Sequence, residues 1–323
     1  MDKLYSMKSD FENVAKAVED IKNMRIRGAS VIAKYALESI RRDSRKILEK
    51  SRNREEFLEN FEAIKESLLR TRPTAVALPN ALRFIEYRLK LKSRNKDITK
   101  NELCDEMISS IDYFLDKIKN SKKEIATAFS KLIKTKVSIM THCHSSTTVE
   151  VIKKINEDRK VKEVYVTETR PLYQGYITAK KLRESNINVK LIVDSASGMF
   201  MKNVDLVLVG ADAITLNGDV INKIGTYPIA VVAKEENKNF FVTAESYKIA
   251  TNAKTGKEIA IEYRSIREVY NGNLGRLGNP EILNPSFDIT PAKYITAIIT
   301  ELGAVRGNQP KKIKEILKKA KYV

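Results

Sequence analysis

The chain is 323 residues long, 42% hydrophobic and 31% charged, with a formal net charge of +18. That length suggests two domains, and that composition excludes a disordered or fibrous chain. No apolar run approaches the ~20 residues of a membrane span, and two cysteines, Cys104 and Cys143, are too few for a disulfide framework. Residues 1–20 mix both charges and lack an apolar signal segment, so the expected location is the cytoplasm. Through residue 130, apolar side chains recur at helical spacing: Leu37, Ile40, Ile47 and Leu48, then Phe57, Phe61, Ile64 and Leu68, then Leu82, Ile85 and Leu89. Gly28 is the only glycine before Gly175, as a helix bundle requires, and Arg72–Pro73–Thr74 interrupts the pattern. A long connecting helix is expected from Ile111 to Ile133. From Val137 the period changes. Strands are predicted at Val137–Met140, Val164–Thr167, Val189–Val193, Leu206–Val209 and Phe240–Val242, with helices at Thr147–Asn156, Ile177–Ser185 and Ile221–Ala233. Alternating elements with all-apolar strands predict a Rossmann-like, doubly wound parallel sheet. The expected division is a helical domain over 1–130, its linking helix starting at about 111, and an α/β domain over 131–323.

In such sheets ligands bind beyond the carboxyl ends of the strands. After the first strand comes Thr141–His142–Cys143–His144–Ser145–Ser146. Neighbouring residues of an extended segment point to opposite sides, and no partner ligand motif exists elsewhere, so no metal is expected. Cys143 precedes a helix N-terminus, where the dipole lowers a thiol pKa and favours a functional role; an inert buried cysteine is the alternative. Asp212 follows the fourth strand, where partial burial suits a carboxyl group to proton transfer, although Asp also caps turns. Asn222–Lys223, opening the expected helix near Gly225–Thr226, form a candidate anion cradle; an exposed lysine is the alternative. The charge excess is +9 in residues 1–150 and +9 in residues 151–323, with no basic block and no aromatic RNA-binding signature. Nucleic acid is therefore not the expected partner, and an anionic small molecule is. There is no GxGxxG and no P-loop.

Arg27–Gly28–Ala29–Ser30, Arg72–Pro73–Thr74–Ala75, Thr141–His142–Cys143–His144–Ser145, Glu168–Thr169–Arg170–Pro171 with Gln174–Gly175, Gly210–Ala211–Asp212, Asn217–Gly218–Asp219, Asn222–Lys223–Ile224–Gly225–Thr226 and Asn284 to Pro291 occur in that order. This set resembles the family that unites methylthioribose-1-phosphate isomerase, archaeal ribose-1,5-bisphosphate isomerase and the regulatory subunits of initiation factor 2B. The resemblance covers nearly the whole chain and implies the same two-domain fold. The non-catalytic subunits of that family generally lack the Cys/Asp pair that Cys143 and Asp212 form here. His144–Ser145 after the cysteine, Ala213 after the aspartate and Tyr247–Lys248 are closer to the bisphosphate isomerase than to the methylthioribose enzyme.

The resemblance implies conversion of ribose 1,5-bisphosphate to ribulose 1,5-bisphosphate in AMP breakdown, with no cofactor, Cys143 as base and Asp212 as acid. It implies substrate contacts from Arg27, Gly28, Ala29, Ser30, Arg72, Ser145, Ser146, Thr147, Gln174, Asn222, Lys223 and Lys248, the last as a partner for the second phosphate. It further implies a homo-oligomer, a dimer or a hexamer built as a trimer of dimers, with AMP as a candidate activator. A non-catalytic regulatory subunit and a methylthioribose-1-phosphate isomerase are the alternative functions.

Overall fold

A computed structural model describes residues 10–26, 28–71 and 76–320. The chain forms two compact units, the first Met1–Asn120 with Ala320–Val323 and the second Ser121–Lys319. The first unit is helical: α1 (Glu12–Lys22), α2 (Ala29–Lys50), α3 (Arg54–Leu69), α4 (Ala77–Lys92) and the start of α5 (Lys100–Ser130). Leu37, Ile40, Ile47, Phe57, Phe61, Ile64, Leu68, Leu82, Ile85 and Leu89 are all buried, at the helical spacing that predicts one apolar stripe per helix. Leu48 is only half-buried, beside the stripe. Buried Asp43 accepts hydrogen bonds from the Val14 amide and the Asn13 side chain, which ties α2 to α1 without leaving a charge unpartnered. The connecting helix starts earlier than Ile111. It is one continuous 31-residue element from Lys100, because no proline or glycine interrupts the run.

The second unit carries β1 (Val137–Thr141), α6 (Ser146–Glu157), β2 (Val161–Thr167), α7 (Gln174–Arg183), β3 (Val189–Ile192), α8 (Ser197–Phe200), β4 (Leu206–Val209), β5 (Ala213–Ile214), β6 (Val220–Lys223), α9 (Thr226–Glu235), β7 (Asn239–Thr243), β8 (Phe287–Thr290), β9 (Ala297–Thr300), β10 (Gly303–Val305) and α10 (Pro310–Ala320). The main sheet has the order β10-β9-β7-β4-β1-β2-β3. All its pairs are parallel except β9 with β10. Every residue of β1 and β4 is buried, as expected of central strands covered on both faces. One face packs Ile139, Val164 and Leu208 against Ile152, Ile155 and Leu182 of α6 and α7. The other packs Met140, Val207 and Val242 against Ile229, Ala233, Ile313 and Ile316 of α9 and α10. This is the doubly wound arrangement.

One expected element is corrected. Ile221–Ala233 is not a single helix. Val220–Lys223 is a strand of a small antiparallel sheet, order β5-β6-β8, and the helix begins only at Thr226. Gly225, at φ +104°, sits in the left-handed region and separates the two.

Candidate active site

The chain passes from β1 to β2 on one side of the sheet and from β4 to β7 on the other. The ends of adjacent β1 and β4 therefore form the switch point at which open α/β sheets bind ligands. Thr141–Ser146 leave one of these strands and Gly210–Asp212 the other, which brings Cys143 and Asp212 to one edge. Gly210 is required for that convergence. A Cβ there would lie 2.5 Å from Ser145 Cβ and 2.6 Å from its Oγ, too close for any side chain. Ser145 caps α6, its hydroxyl accepting the Thr148 amide at 3.2 Å.

Cys143 has φ +68°, a left-handed conformation that surrounding contacts must hold. Its amide donates to Thr169 Oγ1 at 2.9 Å, and its carbonyl accepts from Thr178 Oγ1 at 2.8 Å. Thr169 is itself left-handed, at φ +63°. Its amide and that of Arg170 donate to the two carboxylate oxygens of Asp194 at 2.8 and 2.7 Å. Since the Thr178 hydroxyl donates to Cys143, it accepts from His144 Nδ1 at 2.9 Å, which fixes that proton on Nδ1. Burial, then the nearby Lys181 and Lys122, pushes His144 down to about 4, so this imidazole is neutral at physiological pH. Buried His142 directs Nε2 at the Ile224 carbonyl, 2.8 Å away, so Nε2 carries its proton, and Nδ1 accepts from Thr167 Oγ1 at 2.6 Å. Burial lowers its pKa as well. Both histidines thus serve as hydrogen-bonded braces on either side of Cys143.

The thiol departs from expectation. Cys143 is partly open to solvent, yet the protein packed around its sulfur pushes its pKa up to about 12. Lys223 opposes the shift, and the negative charges of Asp212 and Asp194 add to it. The dipole of α6 does not overcome this desolvation. The resting sulfur is a thiol, not a thiolate.

The turn after β6 faces the same edge. Asn222 is buried and donates to Thr226 Oγ1 at 2.9 Å, and that hydroxyl donates to the Lys223 carbonyl at 2.7 Å. Asn222 and Lys223 therefore stand on a strand and its exit rather than on a helix. Lys223 extends its ammonium over the Phe287 ring, 5.0 Å from the centroid. Asn217–Gly218–Asp219 form the β5–β6 hairpin, where Asp219 anchors the amides of Gly256 and Ala292, so this motif shapes the small sheet.

The remaining expected contacts lie in different places. Ser146 and Thr147 open α6, whose first-turn amides suit an anion. The Thr147 hydroxyl is used in donating to buried Glu245 at 2.6 Å. Lys248 sits not on an open sheet edge but in a buried turn, its Nζ 2.9 Å from Glu245. Gln174 begins α7 with its Oε1 buried and without a hydrogen-bond partner. Gly28, Ala29 and Ser30 start α2 in the first unit, Gly28 at φ +89° and the other two buried. Arg27 and Arg72 lie outside the described residues. Among the described residues no group of three or more His, Cys, Asp or Glu side chains could hold a metal ion, and no helix is long and apolar enough to cross a membrane. Sequence reasoning assigned no role to Thr178, Asp194, Glu245 or Asp288. Asp194 follows β3, so the strand-end rule could have found it. Glu245 follows β7 in the same way, Asp288 lies within the Asn284–Pro291 motif, and only Thr178 carries no local signal.

Comparison with known proteins identifies the family and the fold. Residues 25–307 match the model of the initiation factor 2 subunit family. The ribose 1,5-bisphosphate isomerase of Archaeoglobus fulgidus is 42% identical over 294 residues, 91% of this chain and 90% of that protein. The crystal structure of Pyrococcus horikoshii translation initiation factor eIF-2B superposes with TM-score 0.77 at 32% identity, covering 94% of this chain and 99% of that one. The 5-methylthioribose 1-phosphate isomerase of the same organism gives TM-score 0.76 at 34% identity, covering 95% and 88%. The chain belongs to the initiation factor 2 subunit family.

Proposed function

We propose that this chain is a sugar-phosphate isomerase that converts ribose 1,5-bisphosphate to ribulose 1,5-bisphosphate. The observation that carries the reading is the convergence of Cys143 and Asp212 at the β1/β4 switch point, within electrostatic reach of Lys223. Similarity to an enzyme of that name at 42% identity supports the choice of substrate. Lys248, buried and paired with Glu245, is the cation proposed for the second phosphate.

The anomeric oxygen of this sugar carries phosphate, so the ring opens by cleavage of the bond from C1 to the ring oxygen. That needs an acid at the ring oxygen and a base at C2. A thiol near 12 and an aspartate carboxylate supply both roles through one prior step: the Cys143 proton moves to Asp212. The transfer neutralises the carboxylate that had opposed sulfur ionisation and leaves the thiolate facing Lys223. Asp212 then protonates the ring oxygen as C1–O breaks, and Cys143 takes the C2 proton, giving a C1–C2 enol phosphate. Cys143 returns its proton to C1 while Asp212 accepts the proton of the C2 hydroxyl, and the C2 ketone forms. Every proton is accounted for, and no metal enters. The first-turn amides of α6, Ser145, Ser146, Asn222 and Lys223 anchor one phosphate. Gln174 and Lys248 are the further contacts proposed within the second unit. The reaction serves AMP breakdown, in a homo-oligomer with AMP as candidate activator.

The test is incubation of the purified protein with ribose 1,5-bisphosphate and, separately, methylthioribose 1-phosphate, followed by NMR. Ribulose 1,5-bisphosphate should accumulate at least tenfold faster than the methylthioribulose product. Equal turnover, or turnover of the second sugar alone, assigns the site to the methylthioribose reaction. No turnover of either favours a non-catalytic subunit.

A further inference from the structure

We infer that Asp288 is a positioning residue that clamps the Asn222–Tyr227 turn, and with it the Lys223 ammonium, against the Cys143 site. The inference deepens the isomerase reading and rests on it. The small sheet supplies the geometry. Its register sets Asn222 opposite Asp288, and Ala213 opposite Ile221, with the Asp212 amide donating to the Ile221 carbonyl at 2.9 Å. Directly paired residues of antiparallel strands share a face, so Asn222 and Asp288 form one row across β6 and β8, and Asp212 leads into β5 beside it. From the far end of that row, Asp288 Oδ2 accepts the amides of Gly225 at 2.7 Å and Tyr227 at 3.1 Å. Those amides begin α9, and a carboxylate there also meets the positive end of the helix dipole.

The opposite side of the turn is held by His142. Its Nε2 donates to the Ile224 carbonyl, and its ring lies 3.0 Å from where a Gly225 Cβ would stand. The turn is thus gripped between Asp288 and a residue adjacent to Cys143. Lys223 precedes the gripped amides by two and four residues, and its charge is the main influence opposing the rise of the Cys143 pKa. Asp288 touches none of these reacting groups. It acts through the turn. Burial, only partly offset by the amides of Tyr227, Gly225 and Thr226, pushes its own carboxyl up to about 6. A further mark of built purpose is that Asp288 Oδ1 is buried without a hydrogen-bond partner, a cost that a merely decorative acid would avoid by turning to solvent.

The test reads the thiol, not only turnover, so it stays informative if the substrate assignment fails. In a Cys104→Ser background, the pH dependence of Cys143 alkylation by iodoacetamide reports its ionisation against the charges that face it, Lys223, Asp212 and Asp194. Asp288→Ala removes the clamp. The alkylation rate at pH 8.5 should fall at least threefold and kcat at least tenfold, with KM changed less than kcat. Asp288→Asn, whose amide oxygen can accept both N–H groups, should restore most of the lost thiol reactivity. A folded Asp288→Ala protein whose alkylation profile and kcat match the parent overturns the inference. So does Asp288→Asn behaving like Asp288→Ala. If Asp288→Ala does not fold, hydrogen exchange at the Gly225 and Tyr227 amides of the parent decides. Exchange of either amide at pH 7 at the rate of an unprotected amide also overturns it.

Discussion

Cys143 and Asp212 are coupled by charge, and that coupling separates reactivity from catalysis. The Asp212 carboxylate helps hold the thiol near 12. Asp212→Asn removes that charge, so Cys143 should alkylate faster at pH 8, by threefold or more, while kcat falls by roughly 10²-fold or more because the acid and proton acceptor are gone. A variant in which both quantities fall together makes Asp212 a structural support instead. Asp288 allows a stability measurement. Its folded carboxyl, near 6, lies above its ordinary value of 3.8, so the folded state holds a proton that the unfolded chain releases between these values. Stability is therefore lost as pH rises from about 4 to 6, by up to ~3 kcal/mol at neutral pH. Asp288→Asn does not titrate. Its melting temperature should match wild type below pH 4 and exceed it at pH 7, and equal differences at both pH values would contradict the assignment of that buried carboxyl.

Between elements, the turn after β7 carries the most consequential ion pair. Glu245 is fully buried, and although burial raises its pKa, Lys248 and the Thr147 hydroxyl hold it down to about 2. Its contribution is present above the ordinary value of 4.5 and is lost as pH falls toward 2. Lys248→Ala strands that charge, so a loss of about 3–5 kcal/mol is expected at pH 7, shrinking as acid neutralises Glu245. The double variant Lys248→Met with Glu245→Gln should recover most of the stability while remaining impaired toward the bisphosphate. Recovery of both would remove Lys248 from substrate binding. This pair marks the limit of what the sequence displays. Periodicity located the helices of the first unit and the central strands, because apolar spacing follows directly from burial on one face or two. It also placed Cys143 and Asp212 at strand ends. It failed at Ile221–Ala233, where Ile221 and Ile224 fit a helical stripe as well as a strand and only the left-handed Gly225 separates them. It could not show that Lys248 faces Glu245 three residues earlier instead of solvent, because that depends on the burial of their turn, nor that Asp288 reaches Gly225 across 63 residues of chain, because that contact arises only from strand register.

At the scale of the whole molecule, the charge of +18 is divided evenly along the chain and forms no basic block, which suits long-range attraction of a small anion better than a nucleic-acid footprint. Each substrate phosphate brings about −1.5 to −2 charges at neutral pH. Ribose 1,5-bisphosphate therefore senses the field of the protein roughly twice as strongly as methylthioribose 1-phosphate, which has one phosphate. Salt attenuates that field over a Debye length of about 10 Å at 0.1 M. Raising ionic strength from about 0.05 to 0.5 M should lower kcat/KM for the bisphosphate several-fold and leave kcat nearly unchanged, since screening acts on the approach of the free anion more than on the bound sugar. Any residual turnover of the monophosphate should show a salt slope about half as steep. A matched uncharged osmolyte series should leave both constants unaltered, which separates screening from viscosity or crowding. Identical slopes for the two sugars would mean that the second phosphate is not attracted by this chain, and the bisphosphate reading would then lose its electrostatic basis.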